Sequence, residues 1–133
     1  MIREMVWFFQ KLFKGYSDYD LWGLDSHLSE LISIRLKAFI KHGTMSHPTS
    51  FKNNKEWIEC INKMIWAFEN WDKDDYCFNH HGEMKFGKST NGGVTVPIID
   101  TGYTMDKNKL RKHEEKVVEG LNLFAEYFRN LWD

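Results

Sequence analysis

The stretch NNKEWIECINKMIWAFENW, residues 53–71, carries the strongest helical pattern in the chain. Its main apolar positions follow one another at steps of four and three residues: Trp57, Ile61, Met64, Phe68 and Trp71, with Ile58 and Ile65 alongside. Because an α-helix turns once in about 3.6 residues, this spacing places the apolar side chains on one face. The stretch therefore predicts an amphipathic helix whose broad apolar face needs packing partners.

Upstream, the sequence predicts a single long central helix from Asp18 to about Lys41. Ser17 is a good N-cap, and Asp20 follows it at the third position, as in a capping box with Asp in place of Glu or Gln. Gly43 is a natural C-terminal stop. The apolar residues of this segment recur at short helical intervals: Leu21, Leu24, Leu28, Leu31, Leu36 and Phe39.

Apolar periodicity also predicts a helix at each end of the chain. The last runs from about Asp106 to Trp132, with an apolar stripe of Leu110, Val117, Leu121, Phe124, Phe128 and Leu131. In the opening MIREMVWFFQKLFKG, residues 1–15, the stripe is Ile2, Val6, Phe9 and Phe13. Its apolar run is too short for a signal peptide or a membrane span. We interpret it as a core or subunit-interface helix; a helix on a membrane surface is the alternative.

Residues 72–105, between the last two helices, form a long insert rich in glycine and without helical period. A connection of this length is unusual in a small domain. The β-branched stretch GGVTVPII, residues 92–99, is compatible with a small hairpin with EMKFG, residues 83–87, in which Pro97 requires an edge position. The chain is thus predicted to be mainly α: a bundle of three to four helices in a single domain, residues 1–133.

Composition limits the classes of function. The 133 residues suffice for one domain, and an aromatic content of 16% is high enough that some rings are expected to face a partner or ligand. A net charge of −1 provides no general attraction for nucleic acid or an anionic membrane, so neither is expected as a partner. Two cysteines without a paired spacing favour free thiols in a reducing, cytosolic compartment.

The stretch GEMKFGKS, residues 82–89, matches the phosphate-loop pattern G-x-x-x-x-G-K-[ST]. A working phosphate loop leads directly into a helix, whose N-terminus holds the phosphates. Here TNGGVTVP, residues 90–97, follows, and its glycines and proline oppose a helix. We therefore predict that the protein is not a nucleotide hydrolase.

Cys77, His80 and His81 form a cluster that could contribute zinc ligands, with Cys60 or His113 completing a tetrahedron. Structural zinc sites have two matched ligand pairs, and the second pair is missing here. We therefore predict solvent-facing loop histidines, no metal and no cofactor.

No catalytic residue is predicted. Cys60 lies beside the apolar stripe of residues 53–71 without a histidine at helical spacing, so we expect a small buried residue. Asp18 and Asp20 occupy a predicted helix start, where carboxylates stabilise the helix dipole without any chemistry.

Two charges interrupt the apolar positions of the long central helix. Asp25 lies between Leu21 and Leu28, and Arg35 lies among the leucines that precede Phe39. Charges buried on a packing face need partners. One interpretation is an internal salt-bridge network that fixes helix register; the other is that Arg35 and nearby rings line a pocket for an anionic, ring-bearing ligand.

Three segments together resemble a family of small uncharacterised proteins encoded by tailed bacteriophages. They are GYSDYDLWGLDSHLSELISIRLKAF (15–39), EWIECINKMIWAFENW (56–71) and EGLNLFAEYFRNLWD (119–133). The resemblance implies family-type positions at Asp18, Asp20, Trp22, Asp25, Arg35, Lys37, Lys63, Phe68, Gly120, Phe124 and Trp132. It implies no activity, only a setting, which is the cytoplasm of an infected bacterial host.

Two functions from different classes follow. The first is a homo-oligomer that sequesters an anionic, nucleotide-type signalling molecule, as a counter-defence protein, in a helical pocket. Its expected ligand-binding residues are Tyr16, Trp22, Asp25, Arg35, Lys37, Lys63 and Trp132. The second is an interaction protein that binds a host protein or a virion component through an exposed aromatic patch. A continuous exposed apolar surface without an enclosed pocket would favour the second.

Overall fold

The computed structural model describes residues 1–43, 46–80, 85–88, 95–98 and 103–132, and within these only the backbone of residues 79–80, 85–88, 95–98 and 103. Five α-helices dominate the described residues: α1 (Ile2–Lys14), α2 (Asp18–Leu21), α3 (Leu24–Gly43), α4 (Asn54–Asn70) and α5 (Lys107–Tyr127). The predicted mainly-α fold is confirmed. None of the helices in the described residues is long and apolar enough to cross a membrane.

Short strands occupy the described parts of the insert. They are β1 (Phe78–His80), β2 (Lys85–Lys88), β3 (Thr95–Ile98) and β4 (Tyr103–Met105). β1 pairs with β4 and β2 with β3, both antiparallel, and Phe86 lies opposite Pro97. Residues 82–84 and 89 of GEMKFGKS lie outside the described residues, as do residues 90–94 of the glycine-rich segment and His81.

The centre of the bundle is α4, which packs against both α3 and α5. Its start is capped by Asn53, whose side-chain oxygen accepts the Glu56 N–H at 2.9 Å. The buried residues of α4 are Trp57, Cys60, Ile61, Met64, Ile65 and Ala67. The helix and the broad apolar face predicted for residues 53–71 are therefore both present.

The contact between α4 and α5 depends on Gly120. A Cβ atom at this position would overlap the Ala67 Cβ and would lie 2.5 Å from the Lys63 carbonyl oxygen. Only glycine permits the two helix backbones to come this close without a shift. Gly120 is thus buried in the middle of α5.

The prediction of one long central helix from Asp18 to Lys41 is wrong in two respects. The chain breaks after α2, where Gly23 adopts a left-handed φ of +64°, and α3 begins anew at Leu24. The central position also belongs to α4 rather than α3. The predicted start is present, since the Ser17 N–H donates to the Asp20 carboxylate at 2.8 Å, and this hydrogen bond lowers the pKa of Asp20.

Both terminal helices differ from the predictions. No residue of α1 is buried, so its assignment to the core is wrong, and its role at a subunit interface stays a prediction. The last helix ends at Tyr127 and is followed by a 3₁₀ turn, Phe128–Asn130, rather than continuing to Trp132.

Replacing Gly120 by alanine tests the close contact of α4 and α5. We expect Gly120→Ala to lower the free energy of unfolding by about 1–3 kcal/mol, because the new methyl group meets backbone and side-chain atoms of α4. At an exposed position inside a helix the same change would stabilise by roughly 0.5–1 kcal/mol. Urea unfolding monitored by circular dichroism gives the sign of the change in unfolding free energy. A variant as stable as the parent would contradict the close contact of α4 and α5 at Gly120.

Candidate functional site

The predicted burial of Asp25 and Arg35 is wrong, because both side chains are exposed. The Asp25 carboxylate accepts the Ser26 N–H at 2.8 Å in the first turn of α3, where negative charge complements the helix dipole. Arg35 lies ten residues further along, a distance of about 15 Å at 1.5 Å per residue. The two charges therefore neither pair with each other nor face one enclosed space.

The physical reason is the side of α3 that faces α4. The buried residues of α3 are two small serines, Ser29 and Ser33, and a single leucine, Leu36. Leu28 and Leu31 lie outside this buried strip and are 46% and 45% exposed. Periodicity identified the residues that share a side, but the leucine-rich side is the outer one.

The two predicted lysine ligands form ion pairs between helices. Lys37 of α3 pairs with Glu69 of α4. Lys63 of α4 donates to Glu119 of α5 at 2.7 Å, and this hydrogen bond raises the pKa of Lys63. Each lysine thus already has a carboxylate partner. Lys37 connects α3 with α4, whereas Lys63 connects α4 with α5.

The predicted aromatic ligands are also exposed and lie apart. Trp22 meets the edge of Trp7 at 6.4 Å between ring centroids. Trp132 borders an open hollow beside Tyr127 and residues 46–50, and Tyr16 is exposed. The seven residues predicted as one ligand site therefore do not come together in a single chain.

A groove between α3 and α5 is the feature that sequence reasoning missed. It consists of two adjoining open hollows of about 570 and 320 Å³, which share Ile32 and Phe124. Phe68 of α4 lines one of them and packs edge-on against Phe124 at 4.9 Å. We call this feature the α3–α5 groove; its other apolar lining residues are Leu28, Leu31, Leu36, Phe39, Trp71, Val117, Leu121, Phe128 and Leu131.

The groove has charges of opposite sign toward its two ends. Asp25, in the first turn of α3, and Glu114, in the middle of α5, line the larger hollow. Arg35 lines the second hollow together with Phe39 and Phe128. The groove is therefore apolar along its length, acidic at one end and basic at the other.

The apolar side of α1 is a second exposed surface. Its large side chains are between 48% and 82% exposed: Ile2, Met5, Val6, Phe8, Phe9, Leu12 and Phe13. The opposite side of α1 is held against α2 by polar and ring contacts. These are two hydrogen bonds between Gln10 and Asp18, an ion pair between Lys11 and Asp20 at 3.2 Å, and rings of Trp7 and Tyr19 at 4.9 Å.

The residues considered for zinc have other roles where the structure describes them. His113 is buried, its Nδ1 lies 2.8 Å from the Tyr76 hydroxyl, and its ring contacts Trp66. Cys60 and Cys77 are buried free thiols. Within the described residues no three His, Cys, Asp or Glu side chains form a possible metal site. The side chain of His80 lies outside them.

Burial of Cys60 was predicted correctly and makes this thiol a poor nucleophile. Loss of hydration raises the pKa of Cys60 from 9.0 to about 11. The nucleophilic thiolate is therefore scarce in the folded protein at neutral pH.

A scan of protein-family models and searches of curated proteins and of solved structures found no match to this chain. The resemblance to phage proteins stays a prediction from the sequence pattern.

The shifted thiol predicts a dependence of stability on pH. Between about pH 9 and 11 the unfolded chain loses the Cys60 proton while the folded chain retains it, so stability falls as pH rises. Because Cys60→Ala removes this contribution, we expect a shallower loss of unfolding free energy over this range. Urea unfolding of both proteins at several alkaline pH values provides the comparison, and equal slopes would contradict the burial of the thiol.

Proposed function

We propose that this protein is a non-catalytic binding protein that recognises a partner protein through the α3–α5 groove. The observation that carries the proposal is the continuous apolar lining of an open groove, in which Leu121 and Phe128 are 39% and 62% exposed. Apolar surface in water costs about 25 cal/mol per Å² relative to its burial. Contiguous apolar surfaces of this kind are typical of interaction sites on soluble proteins.

The shape of the groove favours a helix as its occupant. Residues 25–39 line one side of the groove and residues 114–131 the other, with Phe68 on its floor side; such a groove is a setting for an amphipathic helix that inserts one apolar stripe. From Asp25 to Phe39 the groove extends about 20 Å at 1.5 Å per residue, the length of three to four helical turns. The partner would therefore present apolar residues at positions i, i+3 or i+4, and i+7.

The proposed setting is a phage-infected bacterial cell, and its support is the sequence pattern of three segments. In that setting the partner would be a host protein or a virion component. The absence of a catalytic role is part of the proposal and is supported by the buried thiols and by Asp20, whose carboxylate accepts a capping hydrogen bond.

Site-specific photo-cross-linking tests the proposal. A photo-reactive amino acid at Leu121, in the groove, is expected to capture one defined protein in infected cells. The matched position is Asn122, the exposed neighbour that does not line the groove. Capture of the same protein from both positions, or of none from Leu121, would contradict recognition through the groove.

Sequestration of a nucleotide-type ligand is a second candidate, favoured by one observation. In the smaller hollow Arg35 lies beside Phe39, Phe124 and Phe128, so a cation and several rings border the same open space. An anionic, ring-bearing molecule could contact both. An oligomer in which a second chain covers this hollow would enclose such a ligand.

A thermal-shift series with cyclic and ADP-ribose-type nucleotides tests this candidate, since a ligand that binds only the folded state raises the melting temperature. We expect Arg35→Ala to abolish the shift, while Arg129→Ala, the exposed control, retains it. Circular dichroism shows that both variants keep their helices. No shift with any nucleotide, or an unchanged shift in Arg35→Ala, would exclude the candidate.

A further inference from the structure

The apolar side of α1 matches the α3–α5 groove in length and character. α1 has 13 residues and is therefore about 20 Å long, the same as the groove. Phe9 and Phe13 lie one helical turn apart on its uncovered side, with Ile2 and Val6 on the same stripe. α1 is thus the kind of helix that the groove is shaped to accept.

Within its own chain α1 does not occupy this groove. Its contacts are with α2, through Gln10, Lys11 and Trp7, and its apolar stripe remains in water. Gly15 ends α1 with a φ of +81°, and Gly23 turns the chain again before α3. These local contacts keep the apolar stripe of α1 available to another molecule.

We infer that the occupant of the α3–α5 groove is α1 of a second copy of this chain. Two chains exchange their α1 helices, each inserting Phe9 and Phe13 into the groove of the other around a two-fold axis. The inference rests on the proposed helix-binding role of the groove and names its occupant. A partner helix from another protein would bind by displacing the exchanged α1.

The exchange buries enough surface for a stable dimer. A standard interface covers about 800 Å² on each partner. A fully exposed phenylalanine side chain buries about 150–250 Å². The rings of Phe8, Phe9 and Phe13 are 64%, 50% and 80% exposed, and Ile2, Met5, Val6 and Leu12 extend the same stripe. Each chain contributes both this stripe and a groove, so the two reciprocal contacts together reach the standard size.

Mixing two variants that each weaken dimerisation tests the exchange of α1. Phe9→Glu damages α1, and Leu121→Glu damages the groove, while both side chains are exposed in the single chain and their replacement leaves the fold intact. We expect the parent to sediment at twice the 15.9 kDa of one chain and each variant to dimerise at least about tenfold more weakly. An equimolar mixture should regain part of the dimer, because the mixed dimer has one intact contact, between α1 of Leu121→Glu and the groove of Phe9→Glu, whereas each variant alone has none.

The outcomes separate this inference from the proposed function. A mixture that stays monomeric, or a monomeric parent whose α1 folds onto its own groove, would overturn the exchange. Binding of a monomeric parent to phosphatidylglycerol vesicles through α1 would also overturn it, in favour of a membrane-surface helix. If the parent is monomeric and Leu121 still cross-links to a different protein, the exchange fails while the binding role of the groove stands.

Discussion

The close contact of α4 with α5 at Gly120 determines how the helices of this protein pack. It lets the backbones of the two helices approach at Lys63 and Ala67, so that α4 becomes the buried centre of the fold. Burial of apolar side chains is the dominant stabilising term in such a small domain. α3 packs on the same central helix, and one side of α3 and one side of α5 are thereby covered.

Among the described residues, the same arrangement leaves the outer apolar side chains of α3 and α5 uncovered. Small serines, Ser29 and Ser33, face α4, and the larger Leu28 and Leu31 face outward into the groove. The helix that could cover them, α1, is bound to α2 through its other side. The packing of α3 and α5 on α4 thus leaves both a groove and a complementary helix exposed. These two exposed surfaces are the basis of the proposal that this is a binding protein.

The sequence was most informative where local geometry decides the structure. The apolar stripe of residues 53–71 identified α4. The Ser17 and Asp20 cap identified the start of α2, and the stop at Gly43 identified the end of α3. Each of these signals involves only residues close together in the chain. The break at Gly23 was missed because a helical period continues across it.

The candidate site was less predictable, because periodicity tells which residues share a side of a helix but not which side meets a neighbour. Asp25 and Arg35 were therefore placed inside, although serine spacing on α3 carried the contrary signal. The α3–α5 groove combines residues from three helices, and their juxtaposition depends on tertiary packing that one sequence does not specify. The apolar stripe of the first helix is a local pattern and was found, but its assignment to the core was wrong because the stripe itself does not show whether another helix packs on it.

Hydroxyl-radical footprinting across a dilution series measures directly whether the groove and α1 are uncovered in a single chain. Aliphatic and phenylalanine side chains react when water reaches them, so we expect Phe13 and Phe128 to react readily in dilute protein, far more than buried Ile61 once each rate is corrected for the intrinsic reactivity of its side chain. We expect the reactivity of both rings to fall together as the protein concentration rises. If both rings are as protected as Ile61 at every dilution, the chain covers them itself, which would contradict an uncovered groove and an uncovered α1.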